Sequence, residues 1–156
     1  MGLPRTFVGF SSSDIHYYRL MKAWKANDNL EFNFTDCQLQ SEIDSENEAY
    51  IKRKCRERIN MAGKYVMLIG PDTRYKYKYV RWEAEVAVEM GCTIIGVNLD
   101  GSKLMVEATC PPIIRDVGAV FVPYSPAIIQ FALVNYSGND RGWFYYSDEV
   151  YKKLGY

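Results

Sequence analysis

The chain has 156 residues and a mass of 18.0 kDa, which is the size of one ordinary domain. Its 19 Lys and Arg residues balance 19 Asp and Glu residues, and this zero net charge argues against a nucleic-acid partner held by a broad basic surface. Hydrophobic residues make up 48% of the chain, as in a globular protein. With His16 as the single histidine and no CxxC pair among four cysteines, we expect no metal site.

Targeting signals are not evident in the sequence. No apolar run approaches the ~20 residues that a membrane-spanning helix needs. The first ten residues lack the charged and apolar regions of a signal peptide. We therefore expect a cytoplasmic protein that does not use a membrane.

The first part of the chain predicts a strand, a helix and a second strand. Residues 6–10 are almost all apolar, which is typical of a strand buried on both faces. Apolar residues recur at helical spacing over 14–26. Residues 30–35 alternate between apolar and polar side chains, which indicates a half-exposed edge strand. We expect the polar loop that follows, at 36–44, to be mobile and to help cover the site or form an assembly.

Strands and helices continue to alternate in the rest of the chain. Ser45 and Glu48 match a capping box, and the helix that they begin places Ile51, Cys55 and Ile59 on one face. The remaining predicted elements are a buried strand at 65–69, a helix at 79–90, strands at 93–97 and 119–122, a helix at 128–134, and an aromatic run and short helix within 135–156.

Five strands that alternate with helices imply parallel βαβ units with right-handed crossovers. The second predicted strand is short and polar on one side, so we place it at an edge. We therefore expect a flavodoxin-like, doubly wound α/β fold with a parallel five-stranded sheet of order 2-1-3-4-5. A crevice then opens at the carboxyl ends of strands 1 and 3. Ligand-binding residues are expected at 10–14, in the loop after Ile69 and near Asp36.

The loop after the third predicted strand combines cations with aromatic rings. It reads Gly70-Pro-Asp-Thr-Arg-Tyr-Lys-Tyr-Lys-Tyr79 and includes Arg74. Such a loop at the mouth of a crevice suits a nucleotide, because cations bind phosphates and rings stack on bases. The alternative is a solvated loop whose tyrosines cover the helix beneath, and the loop alone favours this alternative.

The helix predicted at 79–90 presents a candidate catalytic carboxylate. Tyr79 and Glu83 are four residues apart, so they share one face beside the apolar stripe. A carboxylate at a crevice rim is partly desolvated, which can tune it for chemistry. The alternative is a surface ion pair of Glu83 with Lys76 or Arg81. Glu85 is expected to point elsewhere into solvent.

Two segments resemble TIR domains. Residues 7–14 are similar to the first TIR strand and the turn after it, with an aromatic residue, a serine and then an acidic residue. Residues 79–83, with the strand that follows, resemble the TIR helix that carries a Trp-x-x-x-Glu motif. The chain departs from the pattern at Tyr79, where the family has Trp, and at Gly9, where it often has Ser. The resemblance extends to the bacterial TIR-like proteins of the Thoeris antiphage system.

The resemblance covers about residues 5–134 and implies a single TIR-like domain over 1–156, with an aromatic extension at 135–156. It implies that Glu83 is the catalytic residue of NAD cleavage. It also implies substrate contacts by Phe10, Ser11 and Asp36. With the loop and the helix considered above, the expected substrate-binding residues are Phe10, Ser11, Asp36, Arg74 and Tyr79.

The implied activity is cleavage of the nicotinamide glycosidic bond of NAD in antiphage defence, with a cyclic ADP-ribose isomer as the signal. NAD is then a substrate, and no cofactor is expected. The implied partners are NAD, further copies of the chain that assemble through TIR surfaces, and a signal-responsive effector protein of the same system. Two alternatives remain open, namely a non-enzymatic TIR-like interaction module and a protein that binds NAD without cleaving it.

Overall fold

A computed structural model describes residues 6–27, 34–35, 48–59, 63–75 and 79–155. The predicted loop at 36–44, the cap at Ser45 and the first residues of the predicted second strand lie outside these ranges. Within them, no helix combines the length and the apolar character that crossing a bilayer requires.

Parallel strands form one sheet in the order β2-β1-β3-β4-β5-β6, with helices on both faces. The strands are β1 (Thr6–Gly9), β2 (Phe34–Thr35), β3 (Lys64–Ile69), β4 (Thr93–Asn98), β5 (Ala119–Pro123) and β6 (Trp143–Tyr145). The helices are α1 (Ile15–Asn27), α2 (Glu48–Ile59), α3 (Tyr79–Glu89), α4 (Pro126–Asn135) and α5 (Asp148–Lys153). The predicted α/β class and the order 2-1-3-4-5 are confirmed.

The structure keeps the five predicted strands and extends the sheet by one more, β6, beyond β5. Ala119 pairs with Trp143 and Phe121 with Tyr145 in parallel register. The loop before β6 is tied to the start of β5, since the Gly118 N–H donates to the Gly142 carbonyl oxygen at 2.9 Å. Three residues are too few to show strand periodicity, so β6 was visible in the sequence only as an aromatic run.

The core consists of two layers, one on each face of the sheet. Because successive strand side chains point to opposite faces, Phe7 and Met67 pack against α2 and α3, whereas Val8 and Leu68 pack against the helices on the other face. The predicted apolar face of α2 is confirmed, since Ile51, Cys55 and Ile59 are fully buried.

An ion-pair network connects α2 to α3 at the surface. Lys52 Nζ lies 2.9 Å from Glu48 and also contacts Glu85, and Arg81 Nε donates to Glu85 Oε1 at 2.9 Å. The hydrogen bond from Lys52, followed by that from Arg81, lowers the pKa of Glu85. The expectation of a solvated Glu85 was therefore wrong, because α2 supplies a cation that the sequence of α3 alone does not reveal.

Candidate functional site

The loops after β1 and β3 meet at the point where the strand order reverses. The Ser13 hydroxyl donates to Asp72 Oδ2 at 2.8 Å, which joins residues 59 positions apart. The Asp14 N–H closes the first loop on the Ser11 carbonyl oxygen at 2.8 Å. The two loops thus form one floor at the carboxyl end of the sheet, where a ligand of a doubly wound fold is expected.

Asp14 is the buried acid of this floor. It is 5% exposed, and its carboxyl group lies over Gly70, where any side chain would collide with it. Burial raises the pKa of Asp14, the nearby Asp72 raises it further, and a hydrogen bond with Thr73 opposes these effects. Among the described residues, no third His, Cys, Asp or Glu joins the pair in a group that could hold a metal ion.

The sequence places Asp14 at the end of the expected ligand-binding stretch 10–14 and as the acid of the TIR resemblance, but it does not predict that Asp14 is buried. The signal that could have identified it is an acid in the loop after strand 1 together with Asp72 in the loop after strand 3. Its burial, however, depends on Gly70, because only a glycine leaves space for the carboxyl group at this place.

Glu83 lies on the side of α3 that faces β1. Its Oε2 atom is 3.2 Å from the point that a Cβ atom of residue 9 would occupy, so Gly9 lets the carboxylate approach the end of β1. Glu83 is only 5% exposed, between the buried Val80 and Ala84. The prediction that the Glu83 carboxylate lies at the rim of the crevice is therefore wrong, because the carboxylate is buried. Gly9 has no side chain, so α3 can approach β1 closely enough to bury it. The predicted apolar stripe beside it is confirmed at Val80, Ala84 and Ala87.

Phe10 and Ser11 follow Gly9 directly in the chain, at the carboxyl end of β1. The Phe10 ring stacks on Tyr18 of α1 with centroids 4.9 Å apart. Ser11 is 1% exposed, and its hydroxyl oxygen accepts the Ser13 N–H at 3.4 Å. These contacts give Ser11 a role in shaping the turn, and the Phe10 ring is partly exposed.

Arg74 contacts the backbone of the loop that follows β4. Its Nη1 atom donates to the carbonyl oxygens of Ala108 at 2.9 Å and Glu107 at 3.4 Å. It also lines an apolar cavity of about 270 Å³ together with Val80 and Arg81 of α3. The contacts of Arg74 therefore fasten a loop, and the structure does not bring its guanidinium to the Glu83 carboxylate.

Two predicted binding residues cannot be placed in the same detail. Asp36 lies outside the described residues. Tyr79 is the first residue of α3, and its side chain lies outside what the structure describes.

The family comparison covers the strands and the helix that build this floor. A family model described as Thoeris protein ThsB, TIR-like domain, matches residues 7–104. The match runs from β1 to just past β4 and includes Gly9, Asp14 and Glu83. No curated protein matches the chain. Because the match spans more than half of the 156 residues, the chain belongs to the TIR-like domain family of the Thoeris protein ThsB, a family of antiphage defence.

Proposed function

We propose that the protein cleaves the nicotinamide glycosidic bond of NAD, with Glu83 as the catalytic residue. The observation that carries the proposal is the buried Glu83 carboxylate beside the carboxyl end of β1. A carboxylate that is shielded from water stabilises a developing positive charge more strongly than a solvated one. Phe10, Ser11, Asp36 and Tyr79 are the proposed substrate contacts, whereas Arg74 acts indirectly through the loop that it holds.

In the proposed reaction, the bond between C1′ of the ribose and the nicotinamide nitrogen breaks. Its electron pair stays on nicotinamide and neutralises the charge of the ring. The ribose passes through an oxocarbenium-like state, which the Glu83 carboxylate stabilises. Water then adds to C1′ and releases a proton, which gives ADP-ribose. When a hydroxyl group of the same ADP-ribose adds and loses its proton instead, the product is a cyclic isomer.

The diphosphate of NAD is proposed to bind near the start of α1. The backbone N–H groups at the start of α1 favour an anion. Asp14 and Asp72 lie in the same region, and their negative charge would oppose a diphosphate. Burial raises the pKa of Asp14, so its carboxyl group ionises less readily than that of an exposed aspartate. We therefore place the diphosphate at this end of α1, with the nicotinamide ribose near Glu83.

We further propose that the whole chain acts as one cytoplasmic domain whose cyclic product activates an effector protein of the same defence system. The test is mass spectrometry of nucleotides in cells that express the wild type or Glu83→Gln, with and without phage infection. We expect NAD to fall and a cyclic ADP-ribose isomer to appear only with the wild type. Unchanged NAD in infected cells that contain folded wild-type protein would contradict the proposal.

One observation favours the alternative of a non-enzymatic interaction module. Strand β6 lies at an edge of the sheet. Its side chains are partly exposed, namely Trp143 by 46%, Phe144 by 40% and Tyr145 by 56% of their surface. An edge strand with exposed aromatic side chains is suited to pairing with another chain. Substituting the three residues with Ser and comparing protection from phage with that of Glu83→Gln distinguishes the functions. Protection that survives Glu83→Gln and disappears with the β6 variant would favour the interaction module.

A further inference from the structure

The apolar cavity of about 270 Å³ lies between β3, the first turn of α3 and the segment at 111–113. Neither Glu83 nor a residue of β1 is among the described residues that line it. Most of its wall is apolar and is formed by Met67, Val80, Pro111, Pro112 and Ile113. A concave apolar surface with a few polar groups is the usual form of a small-molecule site.

Arg74 and Arg81 are the charged residues among the described residues that line this cavity, so its lining is positive. Nη1 of Arg74 donates to the carbonyl oxygens of Glu107 and Ala108, and Nε of Arg81 donates to Glu85. A guanidinium group has five N–H donors. In the part of the chain that the structure describes, the other donors of both arginines meet no acceptor. They are therefore available to an anionic ligand.

The helix beside the cavity and the size of the cavity narrow the class of ligand. The first turn of α3 contains no acidic residue, so the partial positive charge at the start of this helix is not neutralised from within the turn. A volume of about 270 Å³ lies just below the ~300–1,000 Å³ of sites for drug-sized ligands, which suits a single ring. A carboxylate carries one negative charge and has two oxygen atoms that match the planar fork of a guanidinium group.

We propose that this cavity binds a small organic anion in which an apolar ring carries a carboxylate group. The ring packs against Val80 and Ile113, and the carboxylate accepts hydrogen bonds from the N–H groups of Arg74 and Arg81. The site is additional to the proposed site of NAD cleavage and does not depend on that reaction.

The test uses benzoate as the probe, titrated into the full chain labelled with ¹³C at the methyl groups of Val, Ile and Met. Saturable shifts should be largest at Val80, Ile113 and Met67, with a Kd in the millimolar range that is usual for a ligand of one ring. Benzamide has nearly the same shape without the charge and should bind about tenfold more weakly. Equal binding of the two probes, or benzoate shifts centred on other methyl groups, would overturn the proposal.

Two matched variants test the charge of the site. Arg81→Gln and Glu85→Gln both remove the ion pair between these residues, but only Arg81→Gln removes a guanidinium group from the cavity. Benzoate should bind Arg81→Gln about fivefold more weakly than the wild type, since a partly exposed charge-assisted contact is lost. Glu85→Gln should bind it at least as well as the wild type. An equal loss of affinity in both variants would contradict the assignment of Arg81.

A third variant tests the location without changing a charge. Ile113→Trp places a larger apolar side chain in the cavity at a half-buried position. The benzoate-induced shift at Val80 should disappear, while the remaining methyl resonances show that the protein is folded. Benzoate binding to folded Ile113→Trp with the wild-type Kd would place the ligand elsewhere and overturn the proposal.

Discussion

The carboxyl group of Asp14 lies over the backbone of Gly70, so the loop after β1 and the loop after β3 pack without an intervening side chain. This contact explains why an acid can be buried at the start of α1. It also makes the fit of the two loops sensitive to the charge of Asp14, since Asp72 lies near enough to raise the same pKa.

Asp14→Asn should make the protein more stable relative to the wild type as the pH rises. Folding raises the pKa of Asp14 above 3.8, mainly through burial, so the folded state favours the neutral form. The stability from this group is complete below pH 3.8 and is lost as the pH rises through the raised pKa. Asn stays neutral and retains a carbonyl oxygen for Thr73. Urea unfolding at about pH 4 and pH 7 measures the difference in the free energy of unfolding.

The matched control for this prediction is Asp140→Asn, which makes the same change at an exposed position. The change in the free energy of unfolding that Asp140→Asn causes at each pH value is subtracted from that of Asp14→Asn. If the free energy of unfolding of Asp14→Asn differs from that of the wild type by the same amount at both pH values, the burial of a charge at Asp14 does not affect stability.

Gly118→Ala should detach the C-terminal extension from β5. Gly118 has φ +78°, which costs an alanine about 1–2 kcal/mol, and the new Cβ atom would also collide with the carbonyl group of Asn139. Overlap in a packed region adds about 1–3 kcal/mol. Gly91→Ala is the matched control, because Gly91 has φ +75° and open space around it. Urea unfolding should show the larger loss for Gly118→Ala, and hydrogen exchange should increase at β6. Equal losses would mean that the contact with Asn139 does not hold the extension.

Much of the fold follows from local sequence patterns, whereas the site depends on contacts between distant residues. The apolar runs at 65–69 and 93–97 can be accommodated only as buried strands, and the polar alternation at 30–35 places its strand at the edge. The depth of Glu83 could not be predicted, because it depends on the close approach of α3 to Gly9, a residue far from Glu83 in the chain. Gly9 lies in an apolar run that does not indicate such a contact.

Arg74→Ala should lower stability more than it affects NAD binding. Arg74 donates to two backbone carbonyl groups of the loop at 107–108, and losing these charge-assisted bonds at a partly exposed site costs about 1 kcal/mol. KM for NAD should change less than twofold, which the rate of nicotinamide release at varied NAD concentration measures. Arg74→Lys keeps the charge and shows whether charge alone suffices. A large rise in KM with unchanged stability in Arg74→Ala would instead assign Arg74 to the substrate.

Glu83→Gln should lower the rate of NAD cleavage, whereas Glu85→Gln should lower only the stability, although both residues lie on α3. Gln at position 83 keeps the size of the side chain and removes the charge that stabilises the oxocarbenium-like state. Losing one such contact costs about 3–4 kcal/mol, so the rate of NAD cleavage should fall about 100- to 1000-fold. Glu85→Gln removes ion pairs with Lys52 and Arg81, which lowers the free energy of unfolding by about 0.5–1 kcal/mol and leaves the rate unchanged.

The two variants should be measured side by side, with nicotinamide release as the rate and urea unfolding as the stability. Because Glu83 is buried, stability must be checked before its rate is interpreted. A folded Glu83→Gln protein that cleaves NAD at the wild-type rate would remove Glu83 from the mechanism. An equal loss of rate in Glu85→Gln would show that the charge of α3 as a whole matters. A loss confined to Glu83→Gln would assign the reaction to the carboxylate beside Gly9.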